Sequence, residues 1–349
     1  MESIKTVKKL PTRERRTVSG AREGWVKIAP LQPGTDLPLV IEPAVDGVDL
    51  FAWAAENRAL VEESLVRHGG ILFRGFGLAT LDDMNRLVDA ASEGGLLQYQ
   101  DQATPRSQVQ GNVYTSTDYP ADQPIELHNE SCYAWSWPRK IFFQCALAAQ
   151  QGGETPIADT RRVWQRLSPA TRELFLNREV MYVRNFNDRV GLPWQSVFGT
   201  GDPAVMEEWC RRNRIAVEWL HGGRLRTRQV RPAVARHPRT GEITWFNQST
   251  AFHSSTLDPR TREVLVAELG EDGLPKDACF GDGSPIPAEV LDEVRAAVRA
   301  ETVAFPWRQG DVLLLDNLLV AHGRSPFSGP RKILVGMAEP HTWDEVRVS

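Results

Sequence analysis

Cysteine is scarce in this chain, with four in 349 residues, Cys132, Cys145, Cys210 and Cys279. None form a CxxC pair, which argues against a structural zinc site and a disulfide framework and points to a reducing cytoplasm. Excess charge is also lacking. A net charge of -4 gives no electrostatic reason to expect nucleic acid or an anionic membrane as partner. Nor is there a run of about 18 apolar residues, the length a spanning helix needs. The opening "MESIKTVKKLPTRERRTVSG" is charged and lacks the apolar segment of a signal peptide. We read residues 1–22 as a flexible tail and 23–349 as one enlarged domain, with a small molecule or another protein as the expected partner.

Hydrophobic residues make up 41% and charged residues 25%, ordinary globular usage that allows a sizeable core. From Trp53, "WAAENRALVEESLVRHGG" has apolar residues at helical spacing and ends in a glycine pair before the apolar run "ILFRGF", so the spacing predicts helix, cap and strand. A second helix is predicted near Leu81 to Ala91. Glu126 to Ala149 reads as two strands and a connection. Ser168-Pro169, Asp202-Pro203 and Asp258-Pro259 each pair an N-cap residue with proline at the first helical position. "AEVLDEVRAAVRA" places Val290, Leu291, Val294, Ala297 and Val298 along one stripe. Two strand candidates, "DVLLLDNLLVAH" and "RKILVGMAE", close the chain, with loop chemistry between them. Strands bracket clustered helices, a pattern of mixed sheets with inserted helices rather than of alternating βαβ units.

Within "IELHNESCYAW", His128 and Glu130 stand one residue apart. In an extended strand, residues i and i+2 point to the same face, so both side chains aim at one point. Of seven histidines, only His128 and His322 occupy strand-like sites flanked by apolar residues and followed by loop signals. Two imidazoles and a carboxylate on one face of an octahedron leave three positions open, the arrangement of a non-haem iron(II) oxygenase. The same donors also suit zinc in a hydrolase. A binding module of the same fold without chemistry is a third reading.

Four stretches together resemble the taurine dioxygenase and clavaminate synthase-like superfamily of iron(II) and 2-oxoglutarate-dependent oxygenases. They are "LHNES", "GGETPIADTRRVW", "GDVLLLDNLLVAHGR" and "PFSGPRKIL", spread over most of the chain beyond about residue 60. The resemblance implies a double-stranded β-helix, a distorted jelly roll of α+β, mainly β character, with helices outside and inserted between strands. It implies His128, Glu130 and His322 as iron ligands. It also implies Arg331 and Thr155 as the grip on the far carboxylate of 2-oxoglutarate, where a guanidinium supplies two parallel charge-assisted bonds and a hydroxyl a third. Arg324 is a rival for that role, with support of its loop as the alternative.

Taurine dioxygenase carries a further arginine four positions past the counterpart of Arg331; here that position is Val335. The substrate's acid group is therefore held elsewhere, or is absent, as in an amino acid tethered to a carrier protein. "GNVYTSTDYPAD", "VRNF", "RTRQVRPAVARHP" and "WFNQ" are similar to the syringomycin-type amino-acid hydroxylases of nonribosomal peptide pathways. Tyr114, Ser116, Arg184, Asn185 and Asn247 are the candidate pocket residues, each also suited to satisfying loop backbone. The implied reaction couples oxidation of 2-oxoglutarate by O2 to hydroxylation of an amino-acid-like small molecule. Glu130 fills the position that a halogenase leaves for chloride, while desaturation and ring closure use the same ligands and stay open.

Overall fold

The strand Val312–Asp316 is apolar at four successive positions because it is buried on both faces. Val312 and Leu314 pack on one side with Ile71, Phe73, Phe142 and Leu334. Leu313 and Leu315 face the other way, toward Ile141, Phe143, Ile157, Val320 and Val335. This computed structural model describes residues 24–97, 108–110, 112–115, 119–187 and 190–348, so the expected tail and Ser116 lie outside the described residues.

Among the described residues, Val312–Asp316 sits inside an eight-stranded sheet. Its order is Val26–Pro30, Leu39–Pro43, Gly70–Phe73, Val312–Asp316, Ser136–Leu147, Lys332–Thr342, Val113–Thr115 and Gln108–Gln110. A four-stranded sheet, ordered Thr302–Val303, Ile157–Asp159, Val320–Arg324 and Ile125–His128, shares the cluster of Leu313, Phe143, Ile157 and Val320 with it. These two sheets form the jelly-roll sandwich, and the α+β expectation holds. The helices Leu50–Glu56, Arg58–His68 and Leu81–Ala91 cover the outer face through Trp53, Leu65, Met84 and Leu87.

Between Asp159 and Thr302 the chain makes an insertion with a second four-stranded sheet, ordered Ala216–Trp219, Leu225–Arg231, Val180–Phe186 and Lys276–Phe280. The three proline-headed helices lie here as expected, Pro169–Arg178, Pro203–Arg212 and Pro259–Leu269. The side chains of Ser168, Asp202 and Asp258 accept bonds from first-turn amides. On Ala288–Ala300, Val290, Leu291, Val294 and Ala297 are buried against the same core as Phe175 and Phe280.

Two expectations need correction. The single helix expected from Trp53 is broken at Asn57, which leaves helical geometry at φ -110° and ψ 27°, and whose side chain caps the first helix by donating to the Trp53 carbonyl at 2.8 Å. "DVLLLDNLLVAH" is not one strand but two, in different sheets. Asp316 turns the chain, its Oδ1 accepting from the amides of Leu318 at 3.0 Å and Leu319 at 3.3 Å.

Candidate metal centre and co-substrate cavity

Ile125–His128 pairs antiparallel with Val320–Arg324, and His128 stands directly opposite His322. Opposed residues share a face of the sheet, so their rings meet with centroids 4.6 Å apart. A register shift follows between His322 and Arg324. At Gly323 a Cβ would lie 2.5 Å from the Ile125 carbonyl, so only glycine lets the strands approach this closely. His128 sets its ring with Nδ1 2.8 Å from the Glu126 carbonyl, which leaves Nε2 for a ligand.

Glu130 arrives by a different route from the one strand alternation predicts. The strand ends at His128, and Glu130 lies in the turn after it. The buried side chain of Asn317 fixes that turn. Its Oδ1 accepts from the Glu130 amide at 2.8 Å, and its Nδ2 donates to the carbonyls of Glu130 at 2.9 Å and Pro138 at 2.8 Å. Asn129 returns a bond to the Asn317 carbonyl at 2.6 Å, and Gln248 donates to the Asn129 carbonyl at 2.7 Å. The next residue, Ser131, has a φ of 55°, a left-handed conformation of the kind that clusters at functional sites.

The outcome is a convergence of donors. Ligand atoms of His128, Glu130 and His322 all lie within 4.8 Å of one another, with His322 Nε2 3.7 Å from Glu130 Oε2. His322 Nδ1 is buried with no hydrogen-bond partner among the described residues. Two imidazoles and a carboxylate gathered this closely at a largely buried point fit a metal ion. Burial, and then the Glu130 carboxylate, pushes the Cys132 thiol well up, so it stays protonated and out of the donor set.

Beside the donors is a cavity lined by His128, His322, Thr155, Arg324 and Arg331, with Phe143, Val335 and other apolar side chains completing the wall. Arg331 precedes the strand Lys332–Thr342 and donates from Nε to the Gly153 carbonyl at 2.8 Å. Gly153, at φ 74°, admits it: a Cβ there would lie 2.9 Å from Arg331 Cδ. Burial, then the neighbouring Arg324 charge, lowers the Arg331 pKa to about 10. Thr155 is buried, and its Oγ1 accepts from the Trp307 indole at 3.2 Å. An indole only donates, so the threonine hydroxyl keeps its own proton to give.

Arg324 is occupied otherwise. Its guanidinium donates to the carbonyls of Tyr119 at 3.0 Å, Pro120 at 2.5 Å and Gln123 at 2.8 Å, which ties down the 119–123 segment. The structure therefore gathers the three metal candidates with Thr155, Arg324 and Arg331. The remaining pocket candidates do not line this cavity. Tyr114 is buried beside Met337 in the large sheet. Asn247 donates to the Ala233 carbonyl at 2.7 Å and accepts from the Ser249 amide at 2.9 Å. Asn185 donates to the carbonyls of Asp272 at 2.9 Å and Leu274 at 2.7 Å, and borders a separate cavity. Arg184 is buried on the inner face of the inserted sheet. Asn317 and Trp307 were missed in the sequence; the only hint was their position inside stretches already singled out or beside them.

A jelly roll with two histidines and a carboxylate at one end of its smaller sheet defines a mononuclear non-haem iron oxygenase that uses 2-oxoglutarate. Comparison with known proteins gives the particular group. The chain belongs to the family described as taurine catabolism dioxygenase TauD, TfdA family, whose model matches residues 27–338. It is 41% identical to the dapdiamide synthesis protein DdaC of Enterobacter agglomerans over 80% of this chain and 85% of that protein. A clavaminate synthase-like protein of Arabidopsis thaliana is 31% identical over 88% of this chain and 92% of its own length. The fold is that of PvcB from Pseudomonas aeruginosa, with a TM-score of 0.54 at 17% identity, covering 92% of this chain and 94% of that one. No helix among the described residues is long and apolar enough to cross a membrane.

Proposed function

We propose that this enzyme hydroxylates an amino acid, free or tethered to a carrier protein, in the cytoplasmic synthesis of a natural product. His128, Glu130 and His322 hold iron(II), and Arg331 and Thr155 hold the far carboxylate of 2-oxoglutarate. The observation that carries this reading is one cavity bounded by both histidines, Thr155 and Arg331. The likeness to a protein of dapdiamide synthesis supports the biosynthetic setting.

Iron(II) held by His128, Glu130 and His322, with 2-oxoglutarate held by Arg331 and Thr155, would supply the oxidising power for hydroxylation. The chain's own residues do the positioning. Arg331 binds a carboxylate as a preorganised cation in an apolar wall, where a charge-assisted pair gains strength. Thr155, with its hydroxyl oriented by Trp307, adds a donor. Phe143, 4.9 Å from the His322 ring, holds that imidazole and keeps water away from the donors. Glu130 keeps a carboxylate where a halogenase would seat chloride, which favours hydroxylation.

Anaerobic titration of the metal-free protein with iron(II) and then 2-oxoglutarate tests this. A weak visible charge-transfer band is expected, absent in His128→Ala. Bound metal with no such band would overturn the reading in favour of a hydrolase or a silent binding module.

A further inference from the structure

Neither "RTRQVRPAVARHP" nor "WFNQ" supplies a donor to the metal or a side chain to the wall of the co-substrate cavity. The fold joins them in one hairpin of the insertion, where Val234–Arg236 pairs antiparallel with Ile243–Trp245. Ala235 of this hairpin, and Phe246 just beyond it, pack with Cys132, Trp137, Leu318 and Trp343 in one buried cluster. Cys132 lies two residues past Glu130, and Leu318 follows Asn317, so the hairpin rests on both chain segments that set the carboxylate ligand. A hairpin that only filled space here would present apolar side chains throughout. Instead it buries two polar ones, His237 and Gln248, against those segments.

His237 follows the first strand of the hairpin, fully buried, and its amide closes the turn on the Glu242 carbonyl at 2.9 Å. Its Nδ1 accepts from the amides of Arg239 at 3.3 Å and Thr240 at 3.2 Å, which leaves Nε2 to donate to Asp316 Oδ2 at 3.2 Å. The other oxygen of Asp316 shapes the turn into Leu318 and Leu319, and Asn317, which holds the Glu130 backbone, sits inside that turn. Gln248 follows the second strand. It opens the short helix Ser249–Phe252, yet its side chain makes no cap bond there. Its Nε2 donates instead to the Asn129 carbonyl at 2.7 Å, between His128 and Glu130. The Gln248 amide is itself anchored on the Tyr182 hydroxyl at 2.9 Å, which ties the hairpin to the inserted sheet.

We propose that His237 and Gln248 are positioning residues for the metal centre, through which the inserted hairpin fixes the Glu130 carboxylate relative to the two histidines. His128 and His322 are set by the pairing of two strands, but Glu130 lies beyond that ladder. Its loop is held at Asn129 by Gln248 and at its own backbone by Asn317, whose turn His237 supports through Asp316. This rests on the ligand assignment above and adds the insertion to the parts that build the site.

The test titrates the full-length metal-free protein with cobalt(II) alone, whose visible absorption reports both affinity and donor geometry. Gln248→Met keeps the length of the side chain and removes its donor. His237→Leu removes the bond to Asp316, and His237→Gln keeps a donor near the Nε2 position. Leu87→Ala, in the core beneath the outer helices, is the control for lost stability alone. Cobalt affinity is expected to fall about 10-fold in Gln248→Met and several-fold in His237→Leu, each with a shifted spectrum, and to recover in His237→Gln. Leu87→Ala is expected to melt lower and bind cobalt as wild type does. A lower Tm with wild-type affinity and spectrum in Gln248→Met would make the hairpin a purely structural element and overturn the proposal; this variant decides if His237→Leu does not fold. Failure of His237→Gln to recover what His237→Leu loses overturns the role of His237. Should cobalt binding fall as expected while wild type with iron(II) and 2-oxoglutarate forms no visible band, the oxygenase reading fails and the positioning stands.

Discussion

The side-chain amide of Asn317 brackets Glu130 from both sides of its backbone, accepting from the amide at 2.8 Å and donating to the carbonyl at 2.9 Å. A residue in a turn has no strand ladder to hold it, so this side chain fixes the backbone from which the carboxylate projects. Asn317→Ala leaves two buried backbone groups of Glu130 unsatisfied. Iron(II) affinity is expected to fall about 10- to 100-fold, the usual range for groups that orient ligands. The titration that follows the visible band measures it, with circular dichroism as the check on folding. An unchanged affinity would remove Asn317 from the site.

Arg331→Ala removes a partner from a buried charge pair. A loss of about 2 kcal/mol, roughly 30-fold in the apparent affinity for 2-oxoglutarate, is the expected minimum. Arg331→Lys keeps charge without the fork and falls between. Were 2-oxoglutarate dependence untouched by Arg331→Ala, the role would pass to Arg324.

Trp307→Phe keeps an aromatic wall and deletes the indole donor to Thr155. One neutral hydrogen bond is at stake, about 1 kcal/mol or roughly fivefold in the KM for 2-oxoglutarate, with kcat little changed. A fall in kcat alone would contradict an orienting role for the indole.

With a folded-state pKa lowered to about 10 by burial, below the ordinary guanidinium range of the open chain, Arg331 binds its proton less well when the protein is folded. The sign follows from linkage: the buried cation costs stability at neutral pH, and that cost is relieved as pH rises through about 10. Without ligands, Arg331→Met is therefore expected to melt higher than wild type at pH 7, while 2-oxoglutarate raises the wild-type Tm and not the variant's. Affinity for 2-oxoglutarate should decline above pH of about 10 as the charge is lost. Thermal shift assays with and without the co-substrate check both.

His128 and His322 were legible as candidates only through the four family-like stretches taken together, since a lone imidazole in an apolar strand is more often a satisfied core residue. The strands around them were legible from their apolar runs, since Leu313 to Leu315 can be apolar in a row only if both faces are covered. Glu130 was found by an argument that does not operate here: the strand stops at His128, and the holding contact comes from Asn317, far away in the chain. Arg324 and Arg331 look equivalent in sequence. What separates them is the loop carbonyls around Arg324, and a backbone carbonyl leaves no signature in residue types.

The pairing of Ile125–His128 with Val320–Arg324 also orders events in time. A nascent chain that has not yet reached Val320 carries His128 on an unpaired strand and Glu130 in the turn beyond it, with neither His322 nor Arg331 yet made. An ion that needs all three donors cannot template the early stages of folding, because His322 arrives only with Val320–Arg324. A chain cut short before that strand is expected to lack metal, co-substrate grip and activity together, with no half-working form in between.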